Sequence, residues 1–127
     1  MAGNLSDYLE NKVLDHILGT TSYTMPADVY LALYTTTPTD STSGTEVTGG
    51  SYARKLITFG ASSSGAATNN TNVDFTSMPT CVVTGIAVCD ALTSGNILVY
   101  GGLAASKSLA SGDTLRVSSG DLSISIN

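Results

Sequence analysis

The chain has 127 residues, 42% of them hydrophobic and 12% charged, with a formal net charge of −5. Low charge with ample apolar content excludes a disordered chain, and the length fits a single domain, 1–127, with a real core. The five cations, Lys12, Arg54, Lys55, Lys107 and Arg116, form no basic stripe, so no nucleic-acid partner is expected.

The start, "MAGNLSDYLENK", carries acids where a secretory leader would be basic, and no later window is long and apolar enough for a membrane span. Neither export nor a membrane partner is expected. Helical periodicity appears once, at about residues 5–18, in "LSDYLENKVLDHILG". Asn4 or Ser6 can cap the first turn, Asp7 and Glu10 suit its positive end, and Gly19 supplies the stop.

On a wheel of ~100° per residue, Leu5, Tyr8, Leu9, Val13 and Ile17 spread over one broad face that also holds Lys12 and His16. Leu14 and Leu18 fall opposite, among Asp7, Glu10, Asn11 and Asp15. A helix serving only its own core needs one apolar stripe, so a second side predicts a second contact. Leu14, Leu18, Tyr8 and Asn11 are the candidate partner-interface residues. The alternative is that Leu14 and Leu18 tuck under the linker 19–25.

After that linker, "DVYLALYTT" alternates Val29, Leu31 and Leu33 with Tyr30, Ala32 and Tyr34, the pattern of a central strand apolar on both faces. The polar segment 37–51 predicts a long loop, "YARKLITF" (52–59) a strand, and 60–72 a second loop. "VDFTSM" and "CVVTGIAVCDA" follow as strands, with Gly85 marking a bulge or a close backbone approach. "ALTSGNILVYGGLA" predicts a hairpin turning at residues 93–96, and "DTLRVSSGDLSISIN" another turning near Ser119-Gly120. With no second helix to build parallel units, the expectation is a mainly β fold. Its form is an antiparallel, jelly-roll-like β-sandwich of seven or eight strands over about residues 28–127, with one N-terminal α-helix.

Catalytic signals are absent from this pattern. His16 is the one histidine, and its neighbour Asp15 points ~100° away on a helix, so the two do not face each other. It is read as a packed or capping residue. Cys81 and Cys89 on one strand stand about 26 Å apart, too far for a disulfide or a shared metal, and are read as free buried thiols. "GDT" (112–114) and "GDL" (120–122) offer one carboxylate each, too few for calcium. No enzymatic activity, cofactor or metal is expected.

The chain resembles a family of small tailed-bacteriophage virion proteins. The resemblance is carried by "LSDYLENKVLDHILG", "YTMPADVYLALYTTTPTD", "GGSYARKLITF", "VTGIAVCDALTSGNILVYGGL" and "SGDTLRVSSGDLSISIN", in this order along most of the chain. It implies a virion structural protein made in the host cytoplasm. Members are often labelled tail-fibre proteins, and similar small β-sandwich proteins are cement or decoration proteins on phage heads. The lack of repeats and of tryptophan favours head decoration on the capsid surface, with the major capsid protein or another virion protein as partner and a homo-oligomeric state. The alternative is a tail-fibre component acting in host adsorption, and a third reading is a carbohydrate-binding or adhesion module.

Overall fold

The computed structural model describes residues 2–126. The fold is mainly β with one N-terminal helix. Strand β1 (Ala2–Leu5) leads directly into helix α1 (Asp7–Ile17). Strands β2 (Val29–Thr36), β3 (Thr45–Glu46), β4 (Lys55–Ile57), β5 (Ala66–Thr68) and β6 (Val73–Phe75) follow. Then come β7 (Cys81–Cys89), β8 (Ile97–Leu109), β9 (Leu115–Val117) and β10 (Ser123–Ser125).

One eight-stranded sheet runs in the order β3-β2-β7-β8-β1-β10-β5, with β4 also on β2, and β6 and β9 pair separately. The expected antiparallel sandwich of seven or eight strands is therefore corrected. There are ten strands among the described residues, in one mixed sheet and one ribbon, and β1 runs parallel to β10. The physical reason lies in β1. It inserts between β8 and β10, with Asn4 opposite Tyr100 on one side and Gly3 opposite Ile124 on the other. The C-terminal strand thus joins the large sheet through the N-terminus.

The centre follows its apolar pattern. β2 is bonded along one edge to β7 and along the other to β3 and β4, and Leu31 to Tyr34 are all buried. Leu31 and Leu33 face the main core with Val83, Ile86, Val88 and Val99. The β6–β9 ribbon closes that core with Val73, Phe75 and Val117, while Asp74 and Arg116, paired directly across the ribbon, form a bidentate ion pair on its solvent side. Ala32 and Tyr34 face the other way, with Ala87 and Cys89.

That second face is covered by the polar segment after β2. Gly85 lies so close to this segment that a Cβ built on it would meet Thr37 Oγ1 at 2.5 Å and Gly101 O at 2.9 Å. The register slips between Val83 and Gly85, so both readings of this glycine, bulge and close approach, hold. The hairpin at 93–96 forms as expected. Asp90 caps it by accepting from Asn96 N (2.7 Å) and Asn96 Nδ2 (3.0 Å), with Ser94 and Gly95 at φ 56° and 72°.

The second expected hairpin does not form. β9 pairs with β6 and β10 with β1 and β5, because Asn69 takes over the hydrogen bonds of the intervening turn. Its Nδ2 donates to Ser118 O (2.9 Å) and its Oδ1 accepts from Leu122 N (2.9 Å) at 1% exposure. The expected strand 52–59 shrinks to Lys55–Ile57, since Tyr52 and Arg54 turn away to a polar cluster.

Candidate functional site

Helix α1 begins where the β1 strand ends because Ser6 is extended (φ −75°, ψ 159°) and caps the first turn, accepting from Leu9 N at 3.3 Å. The same hydroxyl donates to Ile97 O at 2.6 Å, so one buried side chain both starts the helix and ties it to β8. Asp7 and Glu10 occupy the first turn, as the helix dipole favours. At the other end Thr20 N and Thr21 N donate back to Asp15 O. His16 Nδ1 accepts from Tyr23 N at 3.1 Å, which fixes the returning linker and gives this histidine a capping role.

The helix buries no residue fully. Tyr8 and Leu9 pack against the main core, and Lys12 Nζ sits 5.6 Å from the Tyr8 ring centre. Leu14, Ile17 and Leu18 are 56%, 71% and 74% exposed, and Met25 in the following linker is 82% exposed. The linker therefore does not cover Leu14 and Leu18. Of the four candidate interface residues, Leu14, Leu18 and Asn11 share exposed surface, whereas Tyr8 turns inward. Ile17 belongs with the exposed set although the wheel assigned it to the core side.

Beside this face lies a groove of about 490 Å³ between α1, the β1–β8 pair and the C-terminal strand. Its lining combines the apolar Val13, Leu14 and Ile126 with the polar Glu10, Asp40 and Tyr100. The Tyr100 hydroxyl donates to Asp40 Oδ1. That bond, with the charges of Asp40 and Glu10 nearby, holds the tyrosine above its usual range. Asp40 reaches the helix as well, its carbonyl accepting from Asp7 N at 3.3 Å. Sequence reasoning missed Glu10, Asp40 and Tyr100 as neighbours, and a separation of 60 residues leaves no local signal to find them by.

Titratable groups elsewhere are committed to structure. Glu46 holds Arg54 through two hydrogen bonds of 2.9 and 3.0 Å and accepts from the Tyr52 hydroxyl at 2.7 Å. Burial pushes Glu46 up, but the bonds from Arg54 and Tyr52 outweigh it and hold the carboxyl below its ordinary value. Burial and the bond to Glu46 push Tyr52 up. Both cysteines are free thiols at opposite ends of β7, and burial raises each, which disfavours a reactive thiolate. Cys89 is buried as expected, while Cys81 is only half-buried. Among the described residues no group of three or more His, Cys, Asp or Glu is placed to hold a metal ion.

This is the geometry of a structural protein with an uncovered helix. The family model described as Podophage GP4 fiber I protein gp80 matches residues 4–125, and the chain belongs to that family. It is a phage virion structural protein of the tail-fibre class, not an enzyme. No curated protein matches the chain. The family favours the tail-fibre reading of the resemblance over the head-decoration reading.

Proposed function

We propose that the chain is an attachment module of the fibre, joined to another virion protein through the α1 face of Leu14, Leu18 and Asn11, with Ile17 and Met25 extending it. One observation carries this reading. A helix anchored by Ser6 and by Tyr8 and Leu9 leaves Leu14, Ile17 and the C-capping Leu18 in solvent. Contiguous exposed apolar residues rimmed by polar ones are a feature of interaction surfaces. A role in direct host adsorption has less support, because three of the six tyrosines that could supply a glycan platform are engaged elsewhere. Tyr34 is buried, Tyr52 bonds Glu46 and stacks on Phe75, and Tyr100 bonds Asp40.

The test is phage carrying Leu14→Ser and Leu18→Ser together, with the amount of this chain per particle measured by quantitative mass spectrometry. Incorporation falls about tenfold, while unfolding of the isolated chain changes by less than ~1 kcal/mol. Normal incorporation, or a loss of several kcal/mol as for core leucines, contradicts the reading.

A further inference from the structure

The groove beside α1 carries a charge pattern that narrows what can fill it. Glu10 and Asp40 both act on the Tyr100 hydroxyl and line the groove together with the apolar Val13, Leu14 and Ile126. Asp40 accepts the tyrosine proton donor, and Glu10 accepts no hydrogen bond among the described residues. Among the described residues no cation lines the groove. Arg54 is held by Glu46, Arg116 by Asp74, and Lys12 lies against the Tyr8 ring. Lys55 and Lys107 lie on β4 and on the distal half of β8. Two carboxylates thus share one concave surface without a counter-charge among the described residues.

A second copy of this chain fits such a surface poorly. With a net charge of −5 it would bring acids against acids, and a two-fold contact across the groove would set Glu10 and Asp40 against their own copies. The complement is a positively charged residue next to apolar ones. An arginine is the better match, because its planar fork can bridge two carboxylates at once. The volume lies within the roughly 300–1,000 Å³ of ordinary binding grooves, enough for a short peptide segment.

Resting on the attachment reading above, we infer that the groove between α1, β8 and β10 receives a cationic amphipathic segment of another virion protein. Its Lys or Arg lies between Glu10 and Asp40, and its apolar neighbour lies on Val13, Leu14 and Ile126. The same segment continues onto the exposed Ile17 and Leu18 side of the helix.

The experiment places a benzophenone photo-crosslinking side chain at Ser125, which lines the groove, and irradiates intact phage particles before peptide mapping. The expected product joins Ser125 to a segment of a different virion protein with Lys or Arg beside apolar residues. Glu10→Lys then lowers the crosslink yield about tenfold, and Glu10→Asp largely keeps it. Glu10 is the position to change because it is exposed and bonds nothing that a substitution would orphan. A crosslink to a second copy of this chain, to a neutral or acidic segment, or one indifferent to Glu10→Lys overturns the inference. A missing crosslink overturns it too. The incorporation result for Leu14→Ser with Leu18→Ser then separates the two failures: if incorporation still drops, the helix docks by its apolar face alone, and if not, the attachment reading falls as well.

Discussion

Arg54 grips Glu46 with two of the three arms of its guanidinium, Nη2 to Oε1 at 2.9 Å and Nε to Oε2 at 3.0 Å, with only 10% of its side chain exposed. The remaining arm donates to Ala91 O (2.9 Å) and Ser94 O (2.8 Å), so one residue ties β3 to the β7–β8 turn. Such a bridge is planar and bidentate, which lysine cannot imitate. Arg54→Ala is expected to lower unfolding free energy by ~3 kcal/mol, since it strands a half-buried carboxylate and the part-buried Ala91 carbonyl. Arg54→Lys recovers only part of this and remains ~2 kcal/mol below wild type. Urea unfolding of the purified chain checks both values, and an equal stability for Arg54→Lys and wild type would refute the bidentate account.

The same pair sets a pH dependence. In the folded state Glu46 lies below its ordinary value of 4.5, so the unfolded chain takes up the proton first as pH falls. Its stabilising contribution is therefore complete above that ordinary value, and is lost as pH drops from there through the depressed folded value. Asp74, held down by Arg116, has the same sign but lies in solvent and is screened. Glu46→Gln is expected to be less stable at neutral pH and to show a shallower acid slope. A slope unchanged by Glu46→Gln in urea titrations at stepped pH would assign acid sensitivity to other groups.

Gly85 stands where the segment after β2 meets the sheet. Gly85→Ala is expected to cost about 1–3 kcal/mol, because its methyl must push aside the Thr37 side chain and crowd Gly101 O. Thr37 and Thr84 hydroxyls, 3.1 Å apart, would separate, and limited proteolysis in 37–44 should quicken. Unchanged stability and cleavage would show that the contact yields more easily than its distances imply.

Ser6 is the joint of the proposed attachment device. Ser6→Ala removes the cap on Leu9 N and the donor to Ile97 O, at a cost of ~1–2 kcal/mol. Hydrogen exchange should accelerate in α1 before it does in β2. If α1 amides keep their protection, the helix is held by Tyr8 and Leu9 alone.

Strong local patterns carried much of this fold. The apolar run of β2 announced a strand buried on both faces, Gly85 announced its close approach, and Thr93 to Asn96 announced a hairpin. β3 and β5, of two and three residues, fall inside the two expected loops, because such segments are shorter than one readable period and β5 takes its partner from distant sequence. β1 hid because it abuts the helix, yet Ser6 as a cap already required the residues before it to leave the helix. The wheel correctly separated Leu14 and Leu18 from the core side. It placed Tyr8 rightly on the core side, against its choice as an interface residue, and misplaced Ile17, which lies in the last turn, far from the Ser6, Tyr8 and Leu9 anchor. The groove was not legible, because Asp40 reaches Glu10 and Tyr100 only through the tertiary path of the segment after β2.

The central claim is that α1 faces another protein in the virion. A cryo-electron-microscopy map of the assembled fibre tests it most directly. The account predicts density from a neighbouring virion protein within van der Waals reach of Leu14 and Leu18. A map in which that face of α1 looks onto solvent in every copy would contradict it.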